Sequence, residues 1–227
     1  MKRLYYFTGK QFALENLKKR HLKISFANEV NDIFELTPFD FGKNGKHLRR
    51  AWRDSRDNHA KSQGFICFSD NWNSPAMWGH YADNHAGVCY GFDVDPPQEH
   101  GLVQIKYVLT LRKFRNLRLD NERVHQEELD YAKGTKSDVW EYEREWRVYA
   151  SLSPEEIYAK SAGQKLFFLP FNEHLQLREV IIGDKSPLTS KEIRSVLMSS
   201  DTVSILTARP SFRRYQIVEQ KNPGLQK

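Results

Sequence analysis

Two cysteines in 227 residues, Cys67 and Cys89, are too few for a disulfide framework. Both fall inside apolar runs, where a thiol packs as a small hydrophobe. Neither has a base near it in sequence, which argues against thiol nucleophiles. No Gly-x-Ser-x-Gly elbow, phosphate loop, three-glycine dinucleotide fingerprint or metalloprotease histidine pair occurs, so the enzyme classes built on them are set aside. No apolar run is long enough to span a bilayer, and the basic start Met1-Lys2-Arg3 lacks a secretory core, so no membrane contact and a cytoplasmic location are expected.

Aromatic residues, by contrast, are plentiful, with 5 Trp, 10 Tyr and 14 Phe. A hydrophobic share of 39% with 28% charged residues is that of a folded soluble domain. The net charge of +6 favours an anionic partner, nucleic acid before nucleotide. Its local forms are residues 18–23, 43–56, 112–118 and 209–214, each of which reads equally well as a solvated face or a phosphate-binding surface.

Short apolar runs, alternation at 22–26 and turn chemistry predict strands at residues 4–8, 22–26, 64–69, 87–94, 102–108, 166–169, 179–182, 203–206 and 214–218. Helices are expected at 12–17, 46–60, 76–82, 120–132 and from 187–190 through 197, the third opened by Ser74-Pro75 and the last capped by Ser or Thr. In residues 46–60 the inner stripe is Leu48, Ala51 and Trp52. Residues 28–34, rich in Asn and Asp, read as a loop. The pattern is a single α+β domain over residues 1–221, with mixed or antiparallel sheets, interposed helices and a flexible tail at 222–227.

The densest chemistry is Trp140-Glu141-Tyr142-Glu143-Arg144-Glu145-Trp146-Arg147. Read as a continuous strand, it places Glu141, Glu143, Glu145 and Arg147 on one side and Trp140, Tyr142, Arg144 and Trp146 on the other. Carboxylates at this spacing lie about 6 to 7 Å apart and raise one another's pKa. They can work as an acid/base pair or stabilise a cation, or they can form an ion-pair ladder with arginines. With the other motifs missing, cleavage of a glycosidic bond through an oxocarbenium cation suits them best.

A second dense segment, residues 69–93, holds Trp72, Trp78, His80, Tyr81, Asp83 and His85. Trp78 and Tyr81 either wall a pocket for a planar ring or pack a helix on the sheet. The histidine spacing matches no common metal set, so no metal is expected. Lys136 reads as a pocket cation or a surface residue.

The chain resembles a bacterial family classed as a domain of unknown function, met in phage-defence and mobile-element settings. The likeness covers nearly the whole length. It rests on Leu4-Tyr5-Tyr6-Phe7, Asn31-Asp32-Ile33-Phe34-Glu35, Cys67-Phe68-Ser69, Met77-Trp78-Gly79-His80-Tyr81-Ala82-Asp83, His85-Ala86-Gly87-Val88-Cys89, and Lys136 with residues 140–147. Ile33 stands where that family usually has proline. More remotely, a tyrosine-bearing first strand, a Phe-Ser strand and a late Glu-x-Glu are similar to ADP-ribosyltransferases, which cleave NAD.

That likeness implies NAD as substrate, with Glu145 gripping the nicotinamide ribose and Glu143 positioning an acceptor. Arg147 joins them in the catalytic group. Tyr81 or Trp78 would stack on nicotinamide, and Tyr5, Tyr6 and Ser69 complete the NAD-binding set. Glu179 is a rival for the catalytic carboxylate, and Asn31, Asp32, Lys136 and His80 are further candidates. The expected role is a defence or toxin effector passing ADP-ribose to nucleic acid, with a partner protein from the same operon. The alternatives are a non-catalytic nucleic-acid- or partner-binding module, and a metal-independent nuclease using His80 or His85 with a glutamate. On the first reading, Glu143 and Glu145 face a cleft shared with Trp78 and Tyr81, with Trp140, Tyr142 and Trp146 buried behind them.

Overall fold

Alternating side chains along the opening strand divide the molecule into two layers: Leu4 and Tyr6 join the largest apolar cluster, whereas Tyr5 and Phe7 join another on the opposite side. The computed structural model describes residues 1–43, 45–97, 101–115, 122–199 and 201–227. Residues 116–118 of the third basic cluster, and 120 and 121 of the expected fourth helix, lie outside the described residues.

In chain order the first elements are β1 (Lys2–Thr8), α1 (Lys10–Lys19), β2 (His21–Lys23), β3 (Phe39–Asp40), α2 (Lys46–His59), β4 (Gln63–Ser69), α3 (Pro75–Tyr81) and β5 (Val88–Val94). Next come β6 (Leu102–Gln104), β7 (Lys106–Val108), β8 (Arg112–Lys113), α4 (Glu122–Lys133), β9 (Thr135–Ser137), a 3-10 helix (Asp138–Glu143) and β10 (Glu145–Ser151). The chain continues through α5 (Pro154–Ser161), β11 (Phe168–Pro170), β12 (Leu175–Ile182), α6 (Ser190–Val196), β13 (Ser204–Pro210) and β14 (Ile217–Glu219). The fold is a single α+β domain.

Its main sheet has eight strands in the order β14-β13-β12-β5-β1-β4-β10-β6, mixed because β12 and β13 run parallel while the neighbours are antiparallel. On the back face, Leu4, Ile66, Phe68, Tyr90, Phe92, Val180 and Ile182 pack beneath α1 and α6 through Ala13, Leu17 and Ile193. The front face holds two smaller apolar clusters. One gathers Trp52, Phe65, Phe114 and Tyr149, and the other Phe7, Met77, Trp78, Cys89 and Ile181. Strand register puts Glu145 and Arg147 of β10, Cys67 and Ser69 of β4 and Tyr5 of β1 on the front face between them. A charged strip therefore interrupts the apolar front.

Several local expectations hold, for stated reasons. Ser74 accepts from the Met77 amide and Pro75 opens α3. Thr189 and Glu192 form a capping box on α6. Of the stripe expected in α2, Trp52 is buried and its Nε1 donates to the Leu36 carbonyl at 2.8 Å, while Leu48 and Ala51 are half-buried.

The acidic-aromatic segment departs from the continuous strand expected of it. Pairing between β10 and β4 begins at Glu145 opposite Ser69, so the backbone before that point has no strand to bond. It closes its own hydrogen bonds as a 3-10 helix over Asp138–Glu143. Arg144, at φ 48 and ψ 50, turns the chain into the strand. Glu141 is thereby exposed, and Trp140, Tyr142 and Trp146 are half-buried rather than packed away.

The stretch 102–108 is likewise two strands broken at buried Ile105, β6 pairing with β10 and β7 with β9. Residues 222–227, expected as a flexible tail, include a short 3-10 turn at Pro223–Leu225, and the Lys227 amide donates to Thr207 Oγ1 at 3.0 Å.

Where β1 meets β5, Gly87 approaches so closely that a Cβ would lie 2.1 Å from the Thr8 carbonyl oxygen. Gly87→Ala should therefore destabilise the fold by about 2 kcal/mol, read as a lower urea midpoint with unchanged slope.

Candidate functional site

Arg147 is the largest charged side chain in the interior, 1% exposed on β10. Its guanidinium forks onto Glu35, with Nη1 and Nη2 donating to Oε1 and Oε2 at 2.5 and 2.8 Å. Nε also donates to Glu145 Oε1 at 2.6 Å and Nη2 to Glu145 Oε2 at 3.1 Å. The guanidinium carbon sits 4.6 Å from the centre of the Phe65 ring. Arg147 is thus held by two carboxylates and a π face, the arrangement to which its planar fork is suited.

From β9, Lys136 reaches the same place: its Nζ donates to Glu143 Oε2 at 2.5 Å and to Glu145 Oε2 at 3.3 Å. Tyr81, at the end of α3, donates its hydroxyl hydrogen to Glu143 Oε1 and accepts from Asn31 Nδ2 at 3.3 Å. A chain of alternating partners results, from Glu35 through Arg147, Glu145, Lys136 and Glu143 to Tyr81 and Asn31. These groups border one cavity of about 360 Å³, whose wall also includes Tyr5, Phe65, Phe68, Met77, Ser69 and Glu29.

Three buried carboxylates face two cations in this chain. One negative charge is left over, and a poorly hydrated surplus is relieved by a proton or by a cationic ligand. The carboxyls divide accordingly. Burial alone would raise Glu145, but Arg147 and Lys136 outweigh it and hold the group down to about 2. Burial raises Glu143 above the ordinary carboxylate range despite the opposing pull of Lys136, and the neighbouring charge of Glu145 adds to the rise. Lys136 is pushed up because the two carboxylates overcome its burial. Tyr81 is raised by burial and by Glu143, so its proton stays available for donation. Glu145 is therefore an ionised strut, and Glu143 is the group whose protonation can change.

The expected site residues are partly gathered here and partly dispersed. Tyr5, Ser69, Asn31, Tyr81, Lys136, Glu143, Glu145 and Arg147 all line the cavity. Tyr6 contributes to the wall, but its ring stacks on Tyr90 at 6.3 Å within the back-face core. Trp78 is fully buried, edge-on to Phe7 with Nε1 donating to the Trp72 carbonyl, so it is core and no ring-stacking platform. Exposed His80 lies outside the cavity lining, 5.9 Å from the Tyr142 ring. Asp32 accepts from the Phe34 amide at 2.9 Å and shapes the turn that delivers Glu35. Glu179 is separated from Glu145 by β5, β1 and β4 and is paired to Arg3.

Glu35 was not among the expected site residues, although it completes the cluster. The signal for it was the unbalanced Arg147, whose fork calls for a second carboxylate. Tyr107 was also missed, and its hydroxyl accepts from the Glu145 amide at 2.8 Å. Among the described residues, no group of three or more His, Cys, Asp or Glu is placed to hold a metal ion, and no helix is long and apolar enough to cross a membrane.

Residues 77–148 match a family model described as Protein of unknown function (DUF2971), a stretch that includes Tyr81, Lys136, Glu143, Glu145 and Arg147. No curated protein and no solved structure matches the chain.

Removing Arg147 strands two buried carboxylates, so Arg147→Met should cost about 3 to 5 kcal/mol in chemical denaturation. Glu145, held low in the folded chain, contributes stability that is complete above its unfolded pKa of about 4.3 and is lost as pH falls toward about 2. Glu145→Gln should flatten that acid limb of the stability profile.

Proposed function

We propose that the cavity binds the nicotinamide-ribose end of NAD and cleaves its C–N glycosidic bond, in the manner of an ADP-ribosyltransferase. The observation that carries this reading is the surplus negative charge of the buried cluster, which faces a cavity walled by Tyr5, Phe65 and Tyr81. Nicotinamide in NAD is a cationic ring, and the transition state for its departure is a ribosyl oxocarbenium ion. Both are favoured by a fixed, desolvated anion. A cavity of about 360 Å³ lies at the lower end of small-molecule sites, which suits one end of the dinucleotide.

In this reading the C–N bond breaks with its electron pair moving to the ring nitrogen, which becomes neutral. The cation left on the ribose is attacked by an acceptor oxygen, whose proton is lost to solvent or to a carboxylate. Glu143 is the better candidate to face the cation. Its carboxylate keeps lone pairs beyond those used by Tyr81 and Lys136, whereas Glu145 is engaged by Arg147 on both oxygens. Glu145, Arg147 and Glu35 then act as positioning residues. Transfer to nucleic acid in a defence or toxin setting extends the same proposal; transfer to water would be simple hydrolysis.

Incubation of the purified chain with NAD, following nicotinamide release, tests the proposal. Glu143→Gln should lower the rate about 100-fold or more at unchanged thermal stability, and Glu179→Gln should leave it near wild type. Because turnover needs ionised Glu143, the acid limb of kcat/KM should fall at a pH above the ordinary glutamate pKa. A folded wild-type chain that neither binds nor consumes NAD would end this reading.

A further inference from the structure

The β13–β14 hairpin carries a feature that the cavity does not use. Its six-residue loop, 211–216, presents Phe212 at 91% and Tyr215 at 102% exposure, with Arg213 and Arg214 exposed between them. At its base, the Arg209 guanidinium carbon lies 4.6 Å from the centre of the Phe212 ring. Fully exposed rings add nothing to the core, and among the described residues these three arginines meet no carboxylate within ion-pair distance.

The loop is also firmly held at its base. Ile217 is buried, its amide donates to the Asn73 carbonyl at 2.8 Å, and Asn73 Nδ2 returns a bond to the Ile217 carbonyl at 2.6 Å. The Ser211 amide donates to the Gln216 carbonyl at 2.9 Å, closing the loop across its neck. Rings and cations are thus displayed on a short, anchored platform, which limits the ordering cost of binding.

We propose that this hairpin is a binding site for single-stranded nucleic acid, with Phe212 and Tyr215 stacking on bases and Arg213 and Arg214 contacting phosphates. Interleaved rings and arginines match both halves of a single strand, because unpaired bases offer a π face and the backbone offers charge. Duplex keeps its bases stacked and leaves the rings without partners. The exposed arginines of α2, Arg49, Arg50 and Arg53, lack such rings, since Trp52 beside them is buried. A membrane surface fits less well, because residues 209–216 contain no Leu, Ile, Val or Met that would insert alongside the rings.

Fluorescence anisotropy with labelled DNA and RNA single strands of about 12 nucleotides, the matching duplexes and phosphatidylserine vesicles provides the test. The single strand of at least one type should bind more tightly than its duplex. Phe212→Ala with Tyr215→Ala should weaken that binding about tenfold or more without changing its salt slope. Arg213→Ala with Arg214→Ala should reduce the slope of log K against log salt by about 1.4. Arg49→Ala with Arg50→Ala serves as the charge-matched control and should leave the single-strand preference intact.

Absence of binding, duplex preference, equal binding by the hairpin variants, or a hairpin requirement seen only on vesicles would overturn the proposal. All of these variants change exposed side chains, so circular dichroism can establish that each is folded. Binding is measured without NAD, and Glu143→Gln should bind like wild type, which keeps this outcome separate from that of the cavity chemistry.

Discussion

Burying a guanidinium between two carboxylates is the constraint on which the front of this molecule depends. Each ion taken out of water costs several kcal/mol, and mutual attraction offsets that only when hydrogen-bond geometry is nearly complete. Arg147 meets the condition through the fork on Glu35 and the second pair of contacts to Glu145. The consequence is topological as well as energetic. One side chain ties the turn after Asp32 to β10, Lys136 ties β9 to the same point, and Tyr81 brings in α3. The turn before Glu35, the end of α3 and the stretch from β9 to β10 are thereby held around one cavity by a chain of ion pairs and hydrogen bonds.

The same arithmetic gives the cavity its chemical character. Three carboxylates against two cations leave an interior that favours positive charge, within a chain whose overall charge is +6. Inside and outside are therefore of opposite sign. An acidic pocket suits a cationic ring and a cationic transition state, and basic surface suits a polyanion. The two features correspond to the two separate proposals, NAD in the cavity and single-stranded nucleic acid at the surface.

Much of the frame was legible because it rests on local rules. Short apolar runs marked β1, β4 and β5, and Ser74-Pro75 and a Ser or Thr at 189–190 marked their helices through side-chain caps. Glu143, Glu145 and Arg147 were recognisable as a chemical group, whereas Tyr81 and Lys136 each carried a pocket reading and a structural one. The geometry of residues 140–147 was not, because alternating charge reads as a strand unless the neighbouring strand is known to stop, and Ser69 ends that pairing. Trp78 was ambiguous for a similar reason. A helical stripe says which residues share a side, and only the packing of Phe7 against it shows that the side is core. Glu35 lies 112 residues from Arg147, and no local pattern joins them.

The unequal ionisation of the two neighbouring glutamates is the central claim, and it is open to direct observation. Carboxyl-carbon NMR on protein labelled with ¹³C-glutamate, assigned with Glu143→Gln and Glu145→Gln, would follow both groups through an acid titration. Glu143 should titrate above the ordinary glutamate range and Glu145 well below it, with the Glu143 midpoint moving when Lys136 is replaced by Met. Two carboxyls titrating together near pH 4 to 5, roughly the value of free glutamate, would contradict the buried charge chain.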